Sequence, residues 1–284
     1  MKETIFFIAD AFADQYIGGA ELTTEAIIEG CGNKQIVKIN CTSLTIDFLE
    51  KNKNSTFIVC NFDSLEDNLK IYMCKNIKYS IIEYDYKICK YRSLAKHKKI
   101  TNKECDCLEG MFGKIRTAFY GYAEKIWFMS EEQKDIFLSR VSVLKEEKCE
   151  VLSSVFSRGD LRFIQSISQN EKNNKYLILG SDSWIKNTNG CVEYARKNNL
   201  DFEIVKDLPY HELLIKMSLS KGLIFHPLAH DTCPRIVIEA KLLGLDLDLN
   251  EYVQHKNERW FTGSVENCRS YLDDRASVFW SYYE

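Results

Sequence analysis

"KGLIFHPLAHDTCPRIVIEAKLLG", residues 221–244, is the stretch on which the reading of this chain turns. An apolar run, Gly222 to Phe225, leads into a polar loop of His, Asp, Thr and Cys, and then into helical spacing that stops at Gly244. Pro234 suits a first helical turn, where its missing N–H has no partner to lose, and Asp231 or Thr232 can cap. Amides that open a helix at the carboxyl end of a strand attract anions. Arg235 adds a guanidinium whose fork matches phosphate, and Glu239 carries a carboxylate able to accept two hydroxyls of a ribose. Taken alone, the same residues also describe a self-capped helix with a solvated surface glutamate.

The strand-then-helix rhythm extends in both directions. "TIFFIAD", "QIVKIN", "TFIVCNF", "KYSIIEYDY" and "KIWFMS" are short runs rich in Ile, Val, Phe and Tyr, spaced by amphipathic stretches such as "GGAELTTEAIIEG" and "EEQKDIFLSRV". Near-continuous apolar strands between helices predict an α/β protein with parallel sheets covered on both faces. Ser130 with Gln133 reads as a capping box opening a helix. After "CEVLSSVF" the rhythm restarts with "KYLILG", "DFEIVKD" and "LDLDLN". The expectation is two Rossmann-like domains facing a cleft, over residues 1–156 and 157–265, with 266–284 an amphipathic helix packing back across them. The polar "SISQNEKNNK", residues 166–175, is the most linker-like segment and offers a later break.

Composition narrows the function classes. With 284 residues, 45% hydrophobic and 28% charged, the chain can bury large cores, and a net charge of −3 gives no overall pull towards nucleic acid or anionic membrane. The apolar run in "MKETIFFIAD" is too short for a signal-peptide core, and no window reaches the roughly 20 apolar residues of a spanning helix. The expectation is a cytoplasmic protein with no transmembrane segment. Eleven cysteines, an odd number, several of them (Cys41, Cys60, Cys149, Cys191) inside apolar strands and helices, fit reduced thiols better than a disulfide framework.

Two further loops add to the opening stretch. "KYLILGSDSWIKNTNG" ends a strand at Gly180 and presents Lys186 just before a helix, where an ammonium can meet a phosphate. "IADAFADQYIGGAELTTEAI" sets Gly18 and Gly19 at a helix start after the first strand, allowing close approach of a ligand to backbone amides, although it lacks the G-x-G-x-x-G spacing of a dinucleotide site.

In this order the pieces resemble a compact GT-B glycosyltransferase of the retaining class related to glycogen and sucrose synthases and to bacterial mannosyl transferases. "GGAE" resembles that family's N-terminal glycine loop, "KIWFMSEEQKDIF" its last N-domain strand and helix, "LGSDSWIKN" its Gly…Lys phosphate loop, and "DTCPRIVIEAKLLG" its E-x7-E region, with Asp231 in the place of the first Glu. The resemblance implies that Glu239 holds the donor ribose, that Lys186 and the Thr232 and Cys233 amides hold the diphosphate, and that Asp231 sits near the transferred sugar. The Arg that usually precedes the family's Lys is missing, and Arg235 is the expected substitute. The family's His after the fourth strand is also missing: "IIEYDY" offers Glu83 or Asp85 instead. The implied activity is sugar transfer from a nucleotide-diphosphate sugar to a glycan, a lipid-linked sugar or a modified DNA base, retaining, with no cofactor required for catalysis. A non-catalytic nucleotide- or glycan-binding module and a nucleotide-sugar epimerase are the alternatives.

One segment is strongly biased. "YKICKYRSLAKHKKITNKECDC" combines Lys87, Lys90, Arg92, Lys96, Lys98, Lys99 and Lys103 with Cys89, His97, Cys105 and Cys107, in an insertion of about residues 87–110. Four soft ligands can close a structural zinc site, though the spacing matches no common finger or ribbon. The lysines alone describe a solvated loop or a contact for an anionic acceptor. "LDLDL" holds Asp246 and Asp248 in D-x-D spacing, but its alternation with Leu reads as a half-buried strand, and no metal is assigned there. His255, Glu258 and Trp260 in "NEYVQHKNERWF" can line a donor pocket or lie on the surface.

Overall fold

The structure is a computed structural model and describes residues 4–284. The chain divides into two compact units: unit 1 comprises residues 1–155 and 275–284, and unit 2 residues 156–274.

Unit 1 holds six parallel strands: β1 (Thr4–Ala9), β2 (Gln35–Asn40), β3 (Thr56–Val59), β4 (Tyr79–Glu83), β5 (Ile126–Phe128) and β6 (Cys149–Val151). Their order is β2-β1-β3-β4-β5-β6. Helices α1 (Gly19–Glu29), α2 (Ile46–Lys51), α3 (Asp67–Asn76), α4 (Leu94–Thr101), α5 (Met111–Tyr122) and α6 (Glu131–Arg140) connect them. Unit 2 has β7 (Tyr176–Leu179), β8 (Phe202–Val205), β9 (Gly222–Phe225) and β10 (Asp246–Leu249) in the order β10-β9-β7-β8, again all parallel. Its helices are α7 (Arg158–Ile167), α8 (Thr188–Lys197), α9 (Tyr210–Ser218), α10 (Arg235–Leu242), α11 (Arg259–Thr262) and α12 (Val265–Asp273). A final helix, α13 (Arg275–Ser281), belongs to unit 1. The expected α/β architecture with two Rossmann-like sheets is present.

Strand composition follows position in the sheet. Central β4, "YSIIE", is buried at every residue, whereas edge strand β2, "QIVKIN", buries none of its residues fully and exposes Gln35 and Lys38. Phe6, Phe57, Tyr79, Phe119 and Phe137 share one core, where Phe6 and Phe57 stack at 5.1 Å and Tyr79 and Phe119 at 4.7 Å. Ser130 caps α6 by accepting the Gln133 N–H at 3.2 Å, and the Gln133 side chain accepts from Met129 N–H and donates to the Glu83 and Asp85 carbonyls, so it also ties α6 to the end of β4.

The structure corrects two expectations about chain organisation. Residues 166–175 are no linker: Asn170 donates to the Ser218 hydroxyl at 2.8 Å and Lys172 to the Leu243 carbonyl at 2.9 Å, which pins the segment inside unit 2. The last stretch forms two helices that divide at Asp274 between the units, not one. Trp280 of α13 is buried beside Phe7 at 6.1 Å and donates to the Ile27 carbonyl at 2.7 Å. Removing such a ring costs about 3–5 kcal/mol.

Strand order also locates the candidate sites. In unit 2 the chain passes from β7 to β8 on one side and then to β9 on the other, so the topological switch lies between β7 and β9. Loops leaving the carboxyl ends of such strands form the crevice where ligands of open α/β sheets bind. In unit 1 the switch lies between β1 and β3.

Candidate functional site

The loops after β7 and β9 are the two that the sequence singles out in this half of the chain, and the fold joins them. β7 ends at Gly180, whose N–H bonds the Val205 carbonyl at 2.7 Å; a Cβ here would lie 2.9 Å from Lys206 Cβ and 3.1 Å from Val205 O, so glycine permits the approach to β8. The chain then makes a helical turn through Trp184–Lys186, and Asn187, in the left-handed region at φ 54°, starts α8. Asn187 Nδ2 donates to the His226 carbonyl at 2.9 Å and Leu228 N–H to the Ile185 carbonyl at 2.9 Å, stitching one loop to the other. Lys186 Nζ reaches Asp231 Oδ2 at 2.6 Å across 45 residues of sequence, with the two side chains 27% and 14% exposed.

Asp231 is fixed from its backbone: its N–H bonds the Tyr252 carbonyl at 2.8 Å, its carbonyl accepts from Gln254 at 3.2 Å, and it pairs as an isolated bridge with Val253. The loop beyond Asp231 departs from expectation at the cap. Pro234 is itself the N-cap of α10, the position expected for Asp231 or Thr232. Proline holds the φ that starts the helix and has no N–H to satisfy. Thr232 and Cys233 are buried ahead of it.

Glu239 is not a surface residue. It is 2% exposed, and its Oε1 accepts the Tyr210 hydroxyl at 2.9 Å and lies 3.5 Å from Arg235 Nε. Burial raises its pKa above the ordinary carboxylate range, opposed by Arg235 and by the Tyr210 hydrogen bond. The structure corrects the expectation that Arg235 forks onto phosphate. Its guanidinium lies 3.8 Å from the Phe156 ring centroid, donates to the Tyr210 oxygen at 3.1 Å and approaches Asp160 at 3.6 Å, so it serves as the internal counter-charge that keeps Glu239 in place. Lys186 is then the cation that the two loops present. Asp160 and Tyr210 escaped the sequence reading because each lies more than 20 residues from its partner and stands in no recognisable motif.

In unit 1, Gly18 is the N-cap of α1, as the glycine pair implied, and the preceding Tyr16 and Ile17 are 64% and 62% exposed. Behind them a polar chain runs across the carboxyl ends of the strands. Asn61 Nδ2 lies 3.5 Å from Glu21 Oε1, and Arg92 donates to Asn61 Oδ1 at 3.0 Å and to Asp85 Oδ2 at 2.6 Å. Lys87 Nζ donates to Asp85 at 2.9 Å and to Glu83 at 3.0 Å, and Tyr120 donates its hydroxyl to Glu83. Burial raises the pKa of Glu83; it opposes ionisation of Asp85 too, but Lys87 and Arg92 more than compensate and hold Asp85 below the ordinary range. A carboxylate so neutralised is a poor proton acceptor, which is the physical reason against the catalytic role expected of Asp85. Lys87 belongs to this cluster at 0% exposure and is not part of a solvated basic loop.

The four proposed metal ligands do converge. The ligating atoms of Cys89, His97, Cys105 and Cys107 all lie within 4.8 Å of one another. None of the eleven cysteines is paired in a disulfide. Asp248 of the D-x-D pair is taken by His226 Nε2 at 2.7 Å and by the Tyr194 hydroxyl at 2.8 Å. His255 is fully buried, stacked on Trp260 at 5.5 Å, and neither ring nitrogen has a hydrogen-bond partner among the described residues, which removes it from the surface and from any pocket wall. No described helix is long and apolar enough to cross a membrane.

Comparison with solved structures gives whole-chain likenesses. Sucrose-phosphate synthase from Thermosynechococcus elongatus superposes with a TM-score of 0.67 at 9% identity, covering 99% of this chain and 98% of that one. A trehalose-6-phosphate synthase gives 0.61 at 9% identity over 97% and 91%, and HepE of Anabaena in complex with UDP-glucose gives 0.56 at 9% over 98% and 95%. No protein-family model and no curated protein sequence matches the chain. At this identity the likeness is one of fold alone: two Rossmann-like units, as in these synthases.

Proposed function

We propose that the chain is a glycosyltransferase that takes a sugar from a nucleoside-diphosphate sugar held at the carboxyl ends of β7 and β9. The observation that carries this is the Lys186–Asp231 contact at the switch point, one loop away from the buried Glu239. Lys186 turns from Asp231 towards the diphosphate as the donor binds, and the opening of α10 faces the same charge. Departure of the nucleoside diphosphate builds negative charge, which an ammonium and oriented amides stabilise without a metal. Asp231, freed of its lysine, lies beside the transferred sugar. Glu239, oriented through Oε1 by Tyr210 and Arg235, accepts the ribose hydroxyls through its other oxygen. With Asp85 neutralised, the leaving phosphate serves as the base for the acceptor hydroxyl, which is the retaining course. The acceptor is a hydroxyl of a glycan, a lipid-linked sugar or a modified base. UDP-hexoses are the first donors to try, since HepE is solved with UDP-glucose.

The test is a thermal-shift and turnover screen against nucleoside diphosphates and their sugars. A donor that raises Tm and is hydrolysed or transferred is expected, with Glu239→Ala losing both responses. No shift with any nucleotide at millimolar concentration ends the proposal. Conversion of the sugar with no acceptor and no release of nucleotide identifies an epimerase instead.

A further inference from the structure

We propose that Cys89, His97, Cys105 and Cys107 bind one Zn²⁺ as a closed structural centre, and that its task is to hold Arg92 against Asp85 and Asn61. Tetrahedral zinc with Zn–S near 2.3 Å and Zn–N near 2.0–2.1 Å separates a sulfur from a nitrogen by about 3.6 Å. His97 Nδ1 lies 3.7 Å from Cys89 Sγ and 3.4 Å from Cys107 Sγ, and no pair among the four ligating atoms exceeds 4.8 Å. Cys-x7-His-x7-Cys-x-Cys is an irregular spacing, yet the fold delivers all four atoms to one point.

The surroundings are those of a metal centre. His97 is 2% exposed on α4, and while Nδ1 faces the sulfurs, Nε2 lies 3.5 Å from the Asp106 carboxylate. A carboxylate behind the second ring nitrogen fixes the tautomer that leaves the first a lone pair for a metal. Cys89 Sγ accepts the Tyr91 N–H at 3.4 Å. Its approach to the Ser93 carbonyl at 3.5 Å suits the thiol and is given up on loading. Binding releases three thiol protons to solvent and forms three Zn–S bonds and one Zn–N bond, with no change of oxidation state. Three thiolates, a neutral imidazole and Zn²⁺ leave a charge of −1, and Lys90, Lys96, Lys98, Lys99 and Lys103 lie in the same segment to balance it. Cys₃His is a donor set that selects zinc over hard cations.

The consequence for unit 1 comes through a turn. Arg92 N–H bonds the Cys89 carbonyl at 2.8 Å, and Arg92 sits in the left-handed region at φ 56°, where a non-glycine residue is strained. The strained turn starts on a metal ligand and ends on the guanidinium that bridges Asp85 and Asn61. Anchoring Cys89 therefore anchors Arg92. None of this depends on the donor reading.

The experiment uses the full chain purified under reducing conditions. Elemental analysis is expected to find one zinc per chain, and Co²⁺ added to the reduced, chelator-stripped protein to give the visible d–d bands of a tetrahedral site with sulfur-to-cobalt charge transfer. Cys105→Ser is expected to lose zinc, and Asp106→Ala to weaken its retention against a chelator by about 10–100-fold. Trypsin is expected to cut after Lys90 and Arg92 at least about tenfold faster in stripped protein than in loaded protein, as expected if opening of this segment governs cleavage. If Cys105→Ser fails to fold, the cobalt spectrum of the unmodified chain still decides. Wild-type protein with neither zinc nor a cobalt spectrum overturns the site, and equal trypsin cleavage with and without metal overturns its role in holding Arg92.

Discussion

The carboxyl ends of the two sheets both gather charge, but they dispose of it differently. In unit 1 the carboxylates of Glu83 and Asp85 are answered within a few residues by Lys87 and Arg92, and the cluster is closed on itself. In unit 2 Glu239 is answered by Arg235 one helical turn away, while Lys186 and Asp231 come from loops 45 residues apart and keep partial exposure. A saturated cluster serves rigidity. One whose cation is partly exposed and shares its charge with a carboxylate from another loop can exchange that partner for a ligand, and this is the difference on which the proposed donor handling by unit 2 rests.

The largest effect expected from breaking this comparison is on stability. Lys87→Met leaves Glu83 and Asp85 without their shared ammonium, and a urea titration should show a loss of about 3–5 kcal/mol. A change under about 1 kcal/mol would mean that the unit 1 cluster is not the structural one. Next in size, Lys186→Ala should lower donor turnover about 10²–10³-fold, with a urea midpoint close to that of the parent. Unfolding without loss of turnover in the folded fraction would reverse the roles of the two lysines.

How much of this was legible in the sequence depends on range. The strand and helix rhythm, the two parallel sheets and the loops after β7 and β9 could be read because each rests on a continuous run of apolar or turn residues. The glycine at the end of β7 and the pair before α1 announced close approaches for the same reason. Arg235 was misread because its type matches phosphate equally well, and only Phe156, Asp160 and Tyr210, brought up by folding, show that its charge is already used. Lys87 looked like one of a row of solvated lysines, yet it alternates with the carboxylates at the end of a buried strand. Asp106, between two of the proposed metal ligands, did have a signal: an acidic residue flanked by cysteines near a lone histidine.

The smallest effect, read over a single pH unit, sharpens the comparison from outside both clusters. Burial pushes His255 down to about 3 in the folded protein, against about 6.5 in an unfolded chain. Above pH 6.5 the imidazole is neutral in both states and contributes no pH dependence. As pH falls below about 6.5 the unfolded chain takes up a proton that the folded one refuses, and stability drops by up to about 1.4 kcal/mol per pH unit until pH nears 3. His255→Phe, stacked in the same aromatic slot, should flatten that part of the stability–pH curve. An identical slope in both proteins would show that the imidazole is not sealed off from water.

Trp280 closes the helix layer over Phe7, yet it is reached only after the whole of residues 156–274 has been threaded. On the ribosome, the second unit has every residue it needs before the first one does. Assembly of the first sheet's cover is therefore the later event, and the early strands must wait, partly bare, with their apolar face available to chaperones.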